Sequence, residues 1–89
     1  MPKLELSGGG VMIRWGWQGY SQFLDMCELQ VDRGAGAGWQ VLAFDTTPNY
    51  LDTQPLPAPA ARWKYRAIYR IGDQRAGQWS NEVSLPVGA

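Results

Sequence analysis

Period-two alternation of apolar and polar residues is the feature that most restricts the fold of this chain. Four runs show it in a steady phase, at 11–17, 26–32, 63–70 and 82–87. In the first of them, Val11, Ile13 and Trp15 share one phase. Such alternation is typical of β-strands with one face in a core and the other in water. No segment of useful length repeats with the 3.6-residue period of a helix, so we predict an all-β protein.

Weaker runs and turn signals complete this prediction. We expect an edge strand over 3–7, a very short strand over 49–53, and a strand over 39–44 whose facing is ambiguous because Leu42 and Phe44 are apolar on its second face. Segments rich in Gly, Pro or small polar residues separate the runs, at 8–10, 18–22, 33–38, 46–49, 54–61 and 72–77. About seven short strands with turns between them indicate a seven-stranded antiparallel β-sandwich. We expect it to be a single domain over residues 1–89.

The ionisable residues exclude several classes of function. Eight Lys and Arg balance eight Asp and Glu, there is no His, and there is one Cys. A neutral chain gives no electrostatic reason to expect a nucleic-acid partner. Without His or a second Cys, neither the commonest general base nor a zinc site is available. We therefore predict a non-catalytic protein with no metal, cofactor or internal disulfide.

The chain shows no targeting or membrane signal. Its N-terminal residues lack the apolar run of a signal peptide. No stretch approaches the roughly 20 apolar residues of a transmembrane helix. We expect no membrane insertion, and the compartment stays open.

Large aromatic side chains must build the core of a sandwich that has no disulfides. Five Trp and four Tyr are present, and each large aromatic can bury roughly 150–250 Å². The strand phase predicts Trp15, Trp39, Trp63 and Tyr65 as core residues. The same phase places Cys27 inside as a small hydrophobe instead of a nucleophile.

The order and spacing of four segments carry a family resemblance. They are 11–15, which ends in Trp15; 27–31 followed by a Gly-rich turn and 39–41; 65–70; and 77–85. Together they resemble strands B, C with C′, F, and G of a fibronectin type III domain, a member of the immunoglobulin-like β-sandwich superfamily. One departure is Trp63, which stands where the family usually has a Tyr whose hydroxyl closes a corner. At that position the indole N–H of Trp63 could donate a hydrogen bond instead, but a phenol hydrogen bond is not available.

The resemblance places two loops at one end of the sandwich, where they form a candidate binding site. Trp17, Tyr20 and Phe23 lie in or beside the BC loop, and aromatics among polar residues suit protein or sugar contacts. The alternative is that Trp17 and Phe23 cap the core. Asp73 and Arg75 lie in the FG loop, where we expect both in solvent. That loop reads Arg70-Ile71-Gly72-Asp73, so an Arg-Gly-Asp adhesion motif is interrupted.

A second candidate site lies on the outward face of the strand over 63–70. Trp79-Ser80 looks like the first half of the Trp-Ser-x-Trp-Ser box of cytokine-receptor domains, in which Arg guanidinium groups stack between Trp rings. We expect a structural cation–π stack of Arg66 and Arg70 with Trp79.

The resemblance leaves three roles open, because such domains occur in bacterial enzymes that act on polysaccharides, in phage tail proteins and in animal surface receptors. The first is a spacer or protein-interaction module, within a larger bacterial or phage protein as the Ala and Gly content indicates. The second is a carbohydrate-binding module that uses the tip aromatics. The third is an assembly subunit of a phage or surface structure. The resemblance alone implies an extracellular, cell-surface or virion context. Charged residues and Pro86 on the expected edge strands predict a monomer.

Overall fold

The computed structural model describes residues 2–7, 11–19, 24–34, 36, 38–53 and 61–87 of the chain. Within these ranges the chain is all-β, without a helix. The strands are β1 (Glu5–Ser7), β2 (Val11–Arg14), β3 (Met26–Asp32), β4 (Gln40–Asp45), β5 (Tyr50–Asp52), β6 (Ala61–Ile71), β7 (Gln74–Ala76) and β8 (Val83–Val87).

The strands form two antiparallel sheets. The smaller sheet has the order β1-β2-β5. The larger one has the order β4-β3-β6-β7, and β8 pairs with β6 beyond the stretch that pairs with β7. The segments expected to be edge strands, β1 and β8, do lie at edges. β4 and β5 are edges as well.

The alternating faces of both sheets meet in one core. Trp15, Trp63 and Tyr65 are buried there, as is Cys27. The smaller sheet contributes chiefly Val11 and Ile13 of β2, and the larger sheet contributes the inward residues of β3 and β6. The fold is therefore a β-sandwich, in which period-two alternation places the apolar side chains between the sheets.

A β-bulge resolves the ambiguous facing of β4. Along β3 and β4 the register shifts between Leu29 and Gln30, which pair with Ala43 and Val41. Leu42 is the extra residue, and it packs against the core. Because a bulge reverses the phase of the strand, the residues before it and after it cannot follow one alternation.

The described residues contain eight strands where the sequence predicted seven, because β7 lies in the segment 72–77 that was predicted as a turn, while β8 matches the last predicted strand. The chain turns away after β7 at Gly77, whose φ is 81°. Ser80 keeps the contact with β6: its backbone N–H donates to the Ala67 carbonyl (2.7 Å), and its hydroxyl accepts from the Ala67 N–H (2.8 Å). This side-chain hydrogen bond satisfies the β6 backbone where the ladder is interrupted.

A buried carboxylate ties the two sheets together. Asp52 of β5 accepts a hydrogen bond from the Tyr65 hydroxyl of β6 (2.7 Å) and two from the Arg33 guanidinium (2.9 and 3.3 Å). The Arg33 guanidinium also lies over the ring of Trp63, 4.4 Å from its centre. Tyr65, two residues beyond Trp63 along β6, thus supplies a phenol hydrogen bond between the two sheets.

Candidate functional site

The outward side of the larger sheet carries a continuous layer of arginine and aromatic side chains. We call it the arginine–aromatic face. Its members are Glu28 and Gln30 of β3, Trp39, Val41 and Phe44 on or beside β4, Arg66 and Arg70 of β6, Arg75 of β7, and Trp79. Strand register brings them together: Glu28 pairs with Phe44 and Ile68, Gln30 with Val41 and Arg66, and Arg70 with Arg75.

Glu28 is at the centre of this face and is only 1% exposed. Its Oε1 accepts from Arg70 Nη1 (2.5 Å) and from Arg75 Nε (3.2 Å). Its Oε2 accepts from Arg75 Nη2 (2.9 Å) and from Gln30 Nε2 (2.7 Å). Burial by itself raises the pKa of Glu28, but the hydrogen bonds from Arg75, Arg70 and Gln30 outweigh burial and lower that pKa below its usual 4.5. The carboxylate is therefore charged at neutral pH.

Arg66 is held by both hydrogen bonds and aromatic rings. Its Nε and Nη2 donate to Gln30 Oε1 at 3.0 and 2.8 Å. Its guanidinium carbon lies 4.1 Å from the ring centre of Trp79 and 4.5 Å from that of Trp39. Both distances are within the range of cation–π attraction.

The other two arginines stack on different rings. Arg70 lies over Phe44 at 5.1 Å, and Arg75 lies over Trp79 at 5.0 Å. The expected stack of Arg66 on Trp79 is present. For Arg70 the expectation is wrong, because its contact with Glu28 directs it toward β3 and β4, and Arg75 takes the second place on Trp79.

The sequence also misplaced Trp39 and Arg75. Trp39 is partly exposed and outside the core cluster, because the bulge in β4 gives this end of the strand the outward phase. Arg75 is exposed, as expected, but it belongs to a strand instead of a loop. The hydrogen bonds that Arg75 donates to Glu28 raise the pKa of the Arg75 guanidinium above its usual value.

Exposed apolar side chains border this charged layer. Phe44 is 53% exposed and Val41 51% exposed, both on the edge strand β4. The face therefore combines apolar surface, aromatic rings and fixed guanidinium groups, which is the composition of energetically dominant residues in protein interfaces.

The predicted tip-loop site is only partly described. Tyr20 and Phe23 lie outside the described residues. Trp17 is half-buried against the core, with its ring centre 4.7 Å from that of Trp15 and stacked on Tyr69 at 6.1 Å. This placement favours the capping interpretation of Trp17 over a binding role. Asp73 is exposed in the turn before β7, where its carbonyl accepts from Arg70 Nη2 (2.7 Å).

Among the described residues, the other chemistry-bearing groups offer no second site. An open cleft of about 300 Å³ is lined by Lys3, Glu5, Arg14, Trp15, Gln18 and Asn49. In the described part of the chain, no three His, Cys, Asp or Glu side chains are grouped to hold a metal ion. Burial raises the pKa of Cys27 to about 12, so its thiol is unreactive at neutral pH. The described ranges also contain no helix that is long and apolar enough to cross a membrane.

Comparisons with family models, curated proteins and solved structures found no match to this chain. Any functional statement therefore comes from the residues and their geometry.

Four residues of this face were missed by sequence reasoning: Glu28, Gln30, Val41 and Phe44. The alternation correctly gave Glu28 and Gln30 the outward phase, which normally means solvent exposure. A signal was nevertheless present, because outward Arg66 and Arg70 on a neighbouring strand are complementary to an outward Glu.

Proposed function

We propose that this chain is a non-catalytic fibronectin type III-like module that binds another protein through its arginine–aromatic face. The strand arrangement supports the family part of the proposal. β1-β2-β5 corresponds to strands A, B and E, and β4-β3-β6 corresponds to C′, C and F. β7 and β8 then stand for two halves of strand G. This partition between two sheets is that of immunoglobulin-like sandwiches.

The observation that carries the binding role is the exposure of Phe44 and Val41 beside the stacked arginines. A spacer needs only a buried core and a polar surface, and half-exposed apolar side chains beside fixed guanidinium groups are not needed for either. Guanidinium groups held by Glu28 and Gln30 lose little further conformational freedom on binding. Such preorganisation reduces the entropy cost of association.

The carbohydrate-binding alternative receives less support from the same geometry. Sugar rings stack on open aromatic faces, but the ring of Trp79 has two guanidinium groups over it and that of Trp39 has one. Trp17 is engaged with Trp15 and Tyr69. A glycan would have to displace these contacts before it could stack.

Site-specific photo-crosslinking tests the proposal. A benzophenone-bearing residue replaces Phe44 on the proposed face or, as a matched control, Leu51 on the smaller sheet, which is 48% exposed. Each labelled protein is irradiated in an extract of its source organism, with and without excess unlabelled protein. We expect a defined protein adduct at Phe44 that the competitor suppresses, and none at Leu51.

Each of the other roles gives a different pattern. A spacer gives no competed adduct at either position, and that result would overturn the proposal. An adduct of twice the chain mass would favour the assembly-subunit alternative. A glycan-array signal that is lost when Trp39 is changed to Ala would favour the carbohydrate alternative.

A further inference from the structure

We propose that the partner contributes a short extended peptide segment, which crosses the arginine–aromatic face with carboxylate side chains over Arg66 and Arg75 and an apolar side chain over Phe44. This inference rests on the proposed function and names the chemistry of the partner.

The charges of this neutral chain are unevenly distributed between its surfaces. Outward positions of β6 and β7 hold five of its eight basic residues. They are Arg62, Lys64, Arg66, Arg70 and Arg75. The outward positions of β3 hold two carboxylates, Glu28 and Asp32. Five positive and two negative charges leave this side of the sheet at +3. Asp25, Asp73 and Glu82 lie outside the strands, at the ends of this sheet, and balance the +3, so the positive surplus is confined to the outward face of the strands.

Two guanidinium groups keep donors for a ligand. The described contacts use Nε and Nη2 of Arg66 and of Arg75. Among the described residues, Nη1 of each has no hydrogen-bond partner. A guanidinium with free N–H groups is matched in shape and charge by a carboxylate. Because Glu28 and Gln30 hold both groups in place, the donors are presented in fixed positions.

The dimensions of the face fit an extended segment. β4 and β7 are three strand steps apart, which is about 14 Å at the usual spacing of neighbouring strands. About four or five residues of extended chain cover that distance. Phe44 and Val41 lie at one end of this path and Arg75 at the other. An apolar side chain and carboxylates within one short segment can thus contact both ends.

The apolar end distinguishes a peptide from other polyanions. Nucleic acids and sulfated glycans would use the positive charge, but they offer no aliphatic side chain for Val41.

Selection from a library of displayed random dodecapeptides tests this inference. The intact protein is immobilised, and the enriched sequences are synthesised and measured by fluorescence polarisation. We expect them to combine at least two carboxylates with a nearby apolar residue. We also expect their affinity to fall as NaCl rises from about 50 to about 500 mM, because salt screens exposed charges.

Arginine variants show whether the peptides bind where we propose. Arg75→Gln should weaken binding roughly fivefold, and Arg75→Lys should have an intermediate effect because it keeps the charge and loses the fork. Arg14→Gln is the matched control, since Arg14 is exposed on the smaller sheet. It should leave affinity unchanged. Circular dichroism confirms that each variant is folded.

The contrary outcomes separate this inference from the proposed function. Enriched peptides without carboxylates that still require Phe44 would overturn the acidic partner and leave the binding face standing. Binding that is indifferent to Arg75→Gln would do the same. A heparin oligosaccharide or a DNA duplex could bind more tightly than every peptide and lose affinity in the same way in Arg75→Gln. That result would overturn the inference that the ligand is a peptide. If no peptide is enriched and no cross-link forms at Phe44, both the acidic peptide partner and the proposed protein-binding function are overturned.

Discussion

Replacing Glu28 by Gln tests the network that holds the arginine–aromatic face in place. The two side chains have nearly the same shape, but the amide nitrogen that replaces one oxygen donates hydrogen bonds instead of accepting them. If it replaces Oε2, it faces the Gln30 amide and the Arg75 guanidinium, both of which are donors. The partner groups at this position are then left without an acceptor.

The expected loss of stability follows from these contacts. A hydrogen bond to a charged group contributes roughly 1.5–3 kcal/mol, and the Gln30–Glu28 bond is buried. Removing the one anion among the arginines adds a penalty, which is reduced because Arg70 and Arg75 reach solvent. We expect Glu28→Gln to lower the free energy of unfolding by about 2–4 kcal/mol. For a domain of this size that corresponds to a melting temperature lower by roughly 10–25 °C.

The effect of Glu28→Gln should also depend on pH. The pKa of Glu28 in the folded protein lies below its usual 4.5, so its contribution to stability is complete above that value. It is lost as pH falls through the folded-state pKa, because the unfolded chain binds the proton more readily. The stability difference between wild type and Glu28→Gln should therefore be full near pH 7 and shrink below about pH 4.5.

Thermal unfolding followed by circular dichroism, from about pH 7 to about pH 3, measures both effects. Glu5→Gln is the control, since Glu5 is exposed on the smaller sheet. A Glu28→Gln variant as stable as wild type at neutral pH would refute the role of the carboxylate. If the difference in unfolding free energy between wild type and Glu28→Gln stays constant down to about pH 3, the Glu28 carboxylate does not stabilise the fold through its negative charge.

Three further variants or probes test other contacts. Tyr65→Phe removes the hydrogen bond to buried Asp52 and should lower the free energy of unfolding by about 1.5–3 kcal/mol, measured by urea denaturation; a change below about 0.5 kcal/mol would argue against this tie between the sheets. Trp79→Ala removes the ring beneath Arg66 and should cost about 1–2 kcal/mol in the same assay, while an unchanged midpoint would mean that the stack contributes nothing. Cys27, buried and with a pKa of about 12, should react with a thiol reagent at pH 8 only after denaturant is added, and prompt labelling of the native protein would contradict its burial.

Strand phase was enough to predict the core of the sandwich. Trp15, Trp63 and Tyr65 are buried because each shares the inward phase of a regular strand. The same reasoning failed for Trp39, since the extra residue Leu42 changes the phase within β4. A bulge depends on how two strands pair, and the sequence of one strand does not contain that information.

The candidate site depended even more on pairing between distant segments. A local motif predicted that Arg66 stacks on Trp79, and the Arg66 guanidinium does lie over the Trp79 ring. Arg70 was assigned to the wrong ring, because its position depends on Glu28, 42 residues earlier in the chain. Alternation places a side chain on a face, but strand register selects the neighbours of that side chain.

Nuclear magnetic resonance of isotope-labelled protein tests the binding face most directly. The indole N–H groups and the arginine Nε–H groups are observed while a peptide enriched in the selection is added. We predict saturable shifts at Trp39, Trp79, Arg66 and Arg75, with the indole signals of the buried Trp15 and Trp63 unchanged. Shifts confined to Trp15, Trp17 and the smaller sheet would contradict the assignment of the binding surface to the arginine–aromatic face.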